Sequence, residues 1–265
     1  MLLTSENFTL NLSDWPSLPN IISAQEFKSL PPNAKTCIII EGMTRAGRYQ
    51  QAQSMSEELN LNCFAFTDWV EKYKPESESE KKELEISLKN GTYLNSDLSI
   101  KIAGWALEEF YKNEYASDDF YNRPFICVGY PRTIKQAAHF QQFLEKHHIY
   151  GLMAIVETNE AESKLRMNEK PVSRIGHETD HVPEVQLVKI GEYFLKTHGF
   201  LKWMELMNKA TVFKVCIDKK DYNNRPGNHL SIIDRGDYVV ISPVDVSKMI
   251  MMFLNMVHFV NYSGA

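Results

Sequence analysis

The feature that most constrains this chain is an alternation of short β-branched apolar runs with segments of helical spacing. "TCIIIE" (Thr36–Glu41) reads as a fully apolar run, the pattern of a strand buried on both faces. "NCFAF" (Asn62–Phe66), "PFICVG" (Pro124–Gly129), "LMAIVE" (Leu152–Glu157) and "ATVFKVCI" (Ala210–Ile217) repeat it. Helical periodicity follows over Gly47–Leu59, Asp97–Phe110, Thr133–His147, Asn159–Met167 and Pro183–His198, and the charged stretch Lys74–Gly91 suggests an exposed helix. Such alternation implies an α/β three-layer sandwich, with a five-stranded parallel sheet and right-handed crossovers.

Both ends of the chain depart from this rhythm. Residues 1–34 carry Pro16, Pro19, Pro31 and Pro32 with no sustained period, and are expected to form an N-terminal arm preceding a domain over 35–265. After the fifth run, "DKKDYNNRPGNH" is turn-rich and "LSIIDRGDYVVIS" reads as a late β-hairpin turning at Arg235-Gly236, so 218–242 is expected to be an insertion before a final helix near Pro243. The apolar stretch Met249–Val260 is broken by Asn255 and His258 and is shorter than the roughly 20 residues a bilayer requires, so it is expected to be a buried helix. The N-terminus shows no basic segment followed by an apolar one, and a soluble, cytoplasmic protein is expected. With 29 basic and 34 acidic side chains, the net charge of −5 gives no footprint for nucleic acid or an anionic membrane. Cys37, Cys63, Cys127 and Cys216 form no CxxC pair and sit in or beside apolar runs, as buried free thiols do.

Parallel sheets bind ligands at the carboxyl ends of their strands. "EGMTRAGR" and "VGYPRT" both follow predicted strands, which places them in one site. Arg132 there can offer a planar fork to a phosphate, and Gln136, one helical turn on, an amide to an adenine edge. Gly129 lets the backbone come close. His177 and His181 have metal-compatible spacing but no third ligand nearby, and solvated histidines are the expectation. Trp69, Trp105, Trp203 and the Met249–Met256 stripe have the spacing of core packing.

The stretch "VGYPRTIKQAAHFQQFL" (Val128–Leu144) resembles the adenylate kinase branch of the nucleoside monophosphate kinases, which carries "DGFPRT" and then "QA" at this offset. "NGTYLNSDLSIKIAGWALEE" (Asn90–Glu109) and "VPEVQLVKIGEYF" (Val182–Phe194) extend the likeness over most of Thr36 to Ile217. The resemblance implies a P-loop nucleotide-binding fold of that kinase type, with an acceptor-binding helical part over 67–123 and a short lid over 168–183. It also implies that Arg132 holds an α-phosphate, that Gln136 reads adenine, and that Asp68 lies beside the acceptor.

Against the family loop GxPGxGKGT, this chain has Gly42, Met43, Thr44, Arg45, Ala46, Gly47, Arg48, Tyr49 and Gln50. The outer glycines are kept, Arg45 and Tyr49 replace glycines, Arg48 replaces the lysine, and Gln50 replaces the threonine that ligates Mg²⁺. Val128 stands where an aspartate orders the water shell of that ion, so no metal ligand is assigned. Lys164 and Lys189 match arginines that clamp the transferring group, and Arg174 belongs to the lid. If the protein is active, Arg48, Lys164, Arg174 and Lys189 would be its catalytic residues, with Mg²⁺ and ATP as cofactors. Two readings stay open. One is a very weak or inactive nucleotide-binding pseudokinase, with an AMP-like ligand and a protein partner met through residues 1–34 or the hairpin. The other is an active kinase moving a phosphoryl group from ATP to AMP or a related acceptor.

Overall fold

The computed structural model describes residues 15–90, 92–115, 123–169, 179–223 and 230–256. It is an α/β protein built on a five-stranded, all-parallel sheet, with a second, three-stranded antiparallel sheet beside it. β1 (Lys35–Gly42), β2 (Asn62–Ala65), β3 (Phe125–Val128), β4 (Ile149–Glu157) and β5 (Ala210–Lys214) lie in the order β2-β3-β1-β4-β5. β1 is central because its side chains are apolar on both faces. Ile38, Ile39 and Ile40 are all inaccessible to solvent, and each contributes about 1.5–3 kcal/mol of burial.

Helices cover the sheet. α2 (Arg48–Leu59) follows β1 and α6 (Ile134–His147) follows β3. α6 starts on Thr133, whose hydroxyl accepts from the Gln136 amide, and ends where His148 turns left-handed. α3 (Phe66–Lys72), α4 (Glu78–Asn90) and α5 (Ser96–Phe110) lie between β2 and β3, with a smaller core of Val70, Leu84, Leu98 and Ile102. α7 (Glu160–Glu169) leaves β4, and α8 (Pro183–Glu192) runs through a π-helical turn, Tyr193–His198, into α9 (Gly199–Leu206). The helix expected to stop at His198 thus continues eight residues further. Gly199 keeps helical angles because Phe200, Leu201, Trp203 and Met204 just beyond it are buried. Tertiary burial outweighs the intrinsic cost of a glycine, about 1 kcal/mol.

Two further expectations are corrected. The part of the N-terminal segment that is described is not an appendage. Leu18, Ile21, Ile22 and Phe27 belong to the main core, and α1 (Ala24–Lys28) opens with a capping box between Ser23 and Glu26. The Gly151 amide donates to Asn20 and the Ile22 amide to Gly151, so this segment lies beside β4 ahead of the point where β5 begins to pair, at Met153. β4 starts at Ile149 rather than Leu152 because Ile149, Tyr150 and Gly151 pair with Lys35, Thr36 and Cys37 of β1.

The run Ala210–Ile217 is not one strand. It breaks at Val215, whose amide donates to Glu157 and whose carbonyl accepts from Ile241. β5 stays in the parallel sheet, while β6 (Cys216–Asp218) joins β8 (Tyr238–Ile241) and β7 (Ile232–Asp234) in the antiparallel one, with the short α10 (Lys219–Asn223) between β6 and β7. The hairpin turns at Gly236 as expected. α11 (Pro243–Met256) then packs on α2, where Gln51 donates to the Pro243 carbonyl at 3.1 Å and accepts from Ser247 at 2.6 Å. All four cysteines are free thiols. Among the described residues no helix is long and apolar enough to cross a membrane.

Candidate functional site

The carboxyl ends of β1 and β3 lie side by side, because Ile40 pairs with Val128. The two loops that leave them face each other. β1 ends on Gly42, where a Cβ would sit 2.1 Å from the Val156 carbonyl oxygen, so β4 leaves room for glycine only. Gly47 (φ 97°) begins α2 with no side-chain cap, and the first amides of that helix are left to other partners. Between them Arg45 takes the left-handed conformation (φ 62°) that a glycine would adopt freely, at a cost of about 1–2 kcal/mol.

The strain at Arg45 is offset by a closed ionic corner. Its Nη2 lies 2.6 Å and its Nε 2.8 Å from Asp180 Oδ2, while Lys189 Nζ lies 2.5 Å from Oδ1 of the same carboxylate. Asp180 and Lys189 are both buried. The loop carbonyls are held as well. Ser163 Oγ donates to Thr44 O at 2.7 Å, and Arg166 Nη1 donates to Arg45 O at 3.1 Å. Arg166 is fixed in turn by Glu162, which also takes Arg235 of the hairpin at 3.2 Å. This side of the loop is braced by α7, α8 and the antiparallel sheet.

The other side is arranged differently. Arg48, the first residue of α2, donates from Nη1 to the Gly42 carbonyl, and the same nitrogen is 3.9 Å from Glu41 Oε2. Arg132, in the turn after β3, brings its Nε to 3.9 Å from that same oxygen. Its guanidinium lies over the Tyr93 ring at 4.9 Å. Glu41 is 0% exposed, and neither of its carboxylate oxygens has a hydrogen bond of ordinary geometry among the described residues.

Burial holds the Glu41 carboxyl above its ordinary pKa, against the pull of Arg48, Arg132 and the backbone amides of Gly42 and Gly129. Burial and the Arg132 charge lower the Arg48 pKa, and Glu41, Tyr93 and Tyr193 oppose them. A charge pair at this separation is worth about 4 kcal/mol at an effective dielectric constant of 20. Burying a carboxylate costs several kcal/mol. The two are of similar size, so the charge on Glu41 is held in a close balance between burial and the two arginines.

The expected site residues divide into groups. Gly42, Arg48, Gly129 and Arg132 surround or adjoin Glu41, while Gly47 faces Arg166 of α7. Gln136 is buried, and its Oε1 accepts from the Arg132 amide at 2.8 Å. One lone pair of the amide expected to face adenine is therefore already used. Tyr49 donates to Asp68 at 2.8 Å, joining α2 to α3. Arg45 and Lys189 meet at Asp180, and Lys164 pairs with Glu160 on the surface of α7 at 2.5 Å. Arg174 and His177 lie outside the described residues.

Magnesium ions need oxygen ligands, and these residues do not fit one. Val128 is aliphatic and 2% exposed, Gln50 faces solvent, and the nearby Glu41 carboxylate is flanked by two guanidiniums that would repel a dication. No cluster of three or more His, Cys, Asp or Glu capable of holding a metal occurs among the described residues.

Sequence reasoning missed Glu41. An acid closing an otherwise wholly apolar run, one residue before the loop glycine, was the available signal. The pairing of Asp180 with Arg45 and Lys189 was missed as well.

No family model matches this sequence. A search of curated proteins likewise finds no similar protein.

Proposed function

We propose that this chain is an adenylate kinase-like nucleotide-binding protein whose pocket takes a monophosphate and which transfers phosphoryl groups very slowly or not at all. One observation carries the reading: two guanidiniums from adjacent parallel strands' loops converge on a single buried point, Arg48 Nη1 and Arg132 Nε each 3.9 Å from Glu41 Oε2. Paired guanidiniums at the carboxyl ends of parallel strands suit an oxyanion such as a phosphate. The uncapped N-terminus of α2 adds to the positive field there.

The same geometry argues against efficient turnover. Phosphoryl transfer relies on positioned charge and bridging metal ions, and here a valine and a solvent-facing glutamine stand at the positions where the resemblance puts the metal-ordering oxygens. The Arg45 guanidinium is committed to Asp180.

Isothermal titration with AMP and with ATP, each with and without Mg²⁺, tests the proposal. The expected result is AMP binding that Mg²⁺ leaves unchanged and that Arg132→Gln weakens by about tenfold or more, the worth of a charge-assisted contact. Mg²⁺-dependent ATP binding accompanied by ADP formation would replace this reading with that of an active kinase.

A further inference from the structure

A fully buried carboxylate with no hydrogen bond of ordinary geometry among the described residues, placed where two arginines converge, is expensive to keep. Nothing in strand geometry requires it, since Ile38, Ile39 and Ile40 before it are aliphatic and equally buried. Its position is the informative part. Both guanidiniums address the same oxygen, Oε2, so the carboxylate occupies the place that an incoming oxyanion would take. We infer that Glu41 is a built-in counter-ion for the Arg48–Arg132 pocket, and that a phosphate-bearing ligand enters only as Glu41 takes up a proton from solvent. The inference rests on the proposed phosphate-binding role of this pocket and adds its control.

The charges support an exchange of this kind. Ionised Glu41 cancels one of the two arginine charges, and a phosphate brought beside it would meet a buried like charge. Once protonated, the carboxyl carries no charge, can donate a hydrogen bond to the ligand, and leaves both guanidiniums to it. The other titratable or charged groups around this point are the Cys127 thiol of β3, Glu157 at the end of β4, and the phenols of Tyr93 and Tyr193. Burial raises Cys127 and Tyr193 further from neutrality, Glu157 pairs with Lys202 at 3.3 Å, and among the described residues Glu41 is the acid that lies within 4 Å of both arginines, at 3.9 Å from each.

Sulfate is the suitable probe, because its charge is constant between about pH 5.5 and 8.5, far from any pKa of its own. Titration calorimetry with sulfate, in buffers of different ionisation enthalpy, counts protons taken up by the wild-type protein and by Glu41→Gln. AMP titrated alongside reports on the pocket as a nucleotide site. For the wild-type protein, the expectation is uptake approaching one proton per sulfate, and an affinity that falls up to about tenfold per pH unit above the Glu41 pKa. In Glu41→Gln both effects should vanish, with binding near pH 8 tighter by about tenfold or more. The wild-type proton count decides the matter even if the variant does not fold. Sulfate binding without proton uptake, or weaker binding by Glu41→Gln, would overturn the counter-ion role while leaving the phosphate pocket standing. No binding of sulfate or AMP at any pH would overturn both.

Discussion

Two buried acids sit on opposite sides of one loop, each with two cations for company, and their geometries are opposite. Asp180 is closed: Arg45 at 2.6 Å and Lys189 at 2.5 Å use both of its oxygens. Glu41 is open: Arg48 and Arg132 stand off at 3.9 Å from one oxygen. Similar composition thus serves two purposes. Contact distances bring the Coulomb gain up to the desolvation cost and make a brace. Stand-off distances leave both guanidiniums short of contact with the carboxylate.

The largest expected effect comes from breaking the closed corner. Asp180→Ala strands the buried Lys189 and the half-buried Arg45, and removes the ion pair that offsets the strain at Arg45. A loss of about 3–5 kcal/mol in unfolding free energy is expected by urea denaturation. A change below about 1 kcal/mol would mean that the closed corner stabilises no more than an exposed ion pair.

The open corner should reveal itself through pH. Burial raises the folded-state pKa of Glu41 above its ordinary 4.5, so its contribution to stability is complete below that value and is lost as pH rises through the folded pKa. Wild-type stability should carry a declining component above pH 4.5, and Glu41→Gln should lack it. Denaturation curves over a pH series check this, and a component that persists in the variant would assign the titration to another group. The smallest effect belongs to Lys164, outside both corners. Lys164→Ala removes an exposed pair with Glu160 and should change stability by no more than about 0.5 kcal/mol, with AMP affinity unaltered.

Much of this molecule was legible in advance, and the limits were physical. β1 to β4 and the longer helices between them were visible because burial on two faces writes a long β-branched run and helix faces repeat at 3.6 residues, whereas the seven-residue α3 was too short to show a period. Arg48 and Arg132 could be placed together because both follow such runs. The break at Val215 was hidden, since a strand that changes sheets keeps the same apolar pattern on either side. The docking of residues 15–34 was hidden too, because it depends on the Gly151 backbone rather than on any period. Asp180 and Arg45 are 135 residues apart, and ion pairs at such range leave no local signature. Glu41 was in plain view, but a run of isoleucines drew attention from the acid at its end.

The proposed function requires the arginine pair to be a seat for phosphate. Crystals soaked with a bisubstrate dinucleotide, or with AMP alone, test that most directly. A phosphate group within hydrogen-bond distance of both Arg48 and Arg132, with no cation bound to it, is the predicted result. A well-ordered octahedral cation bridging the terminal phosphates, or a nucleotide bound away from both arginines, would contradict it.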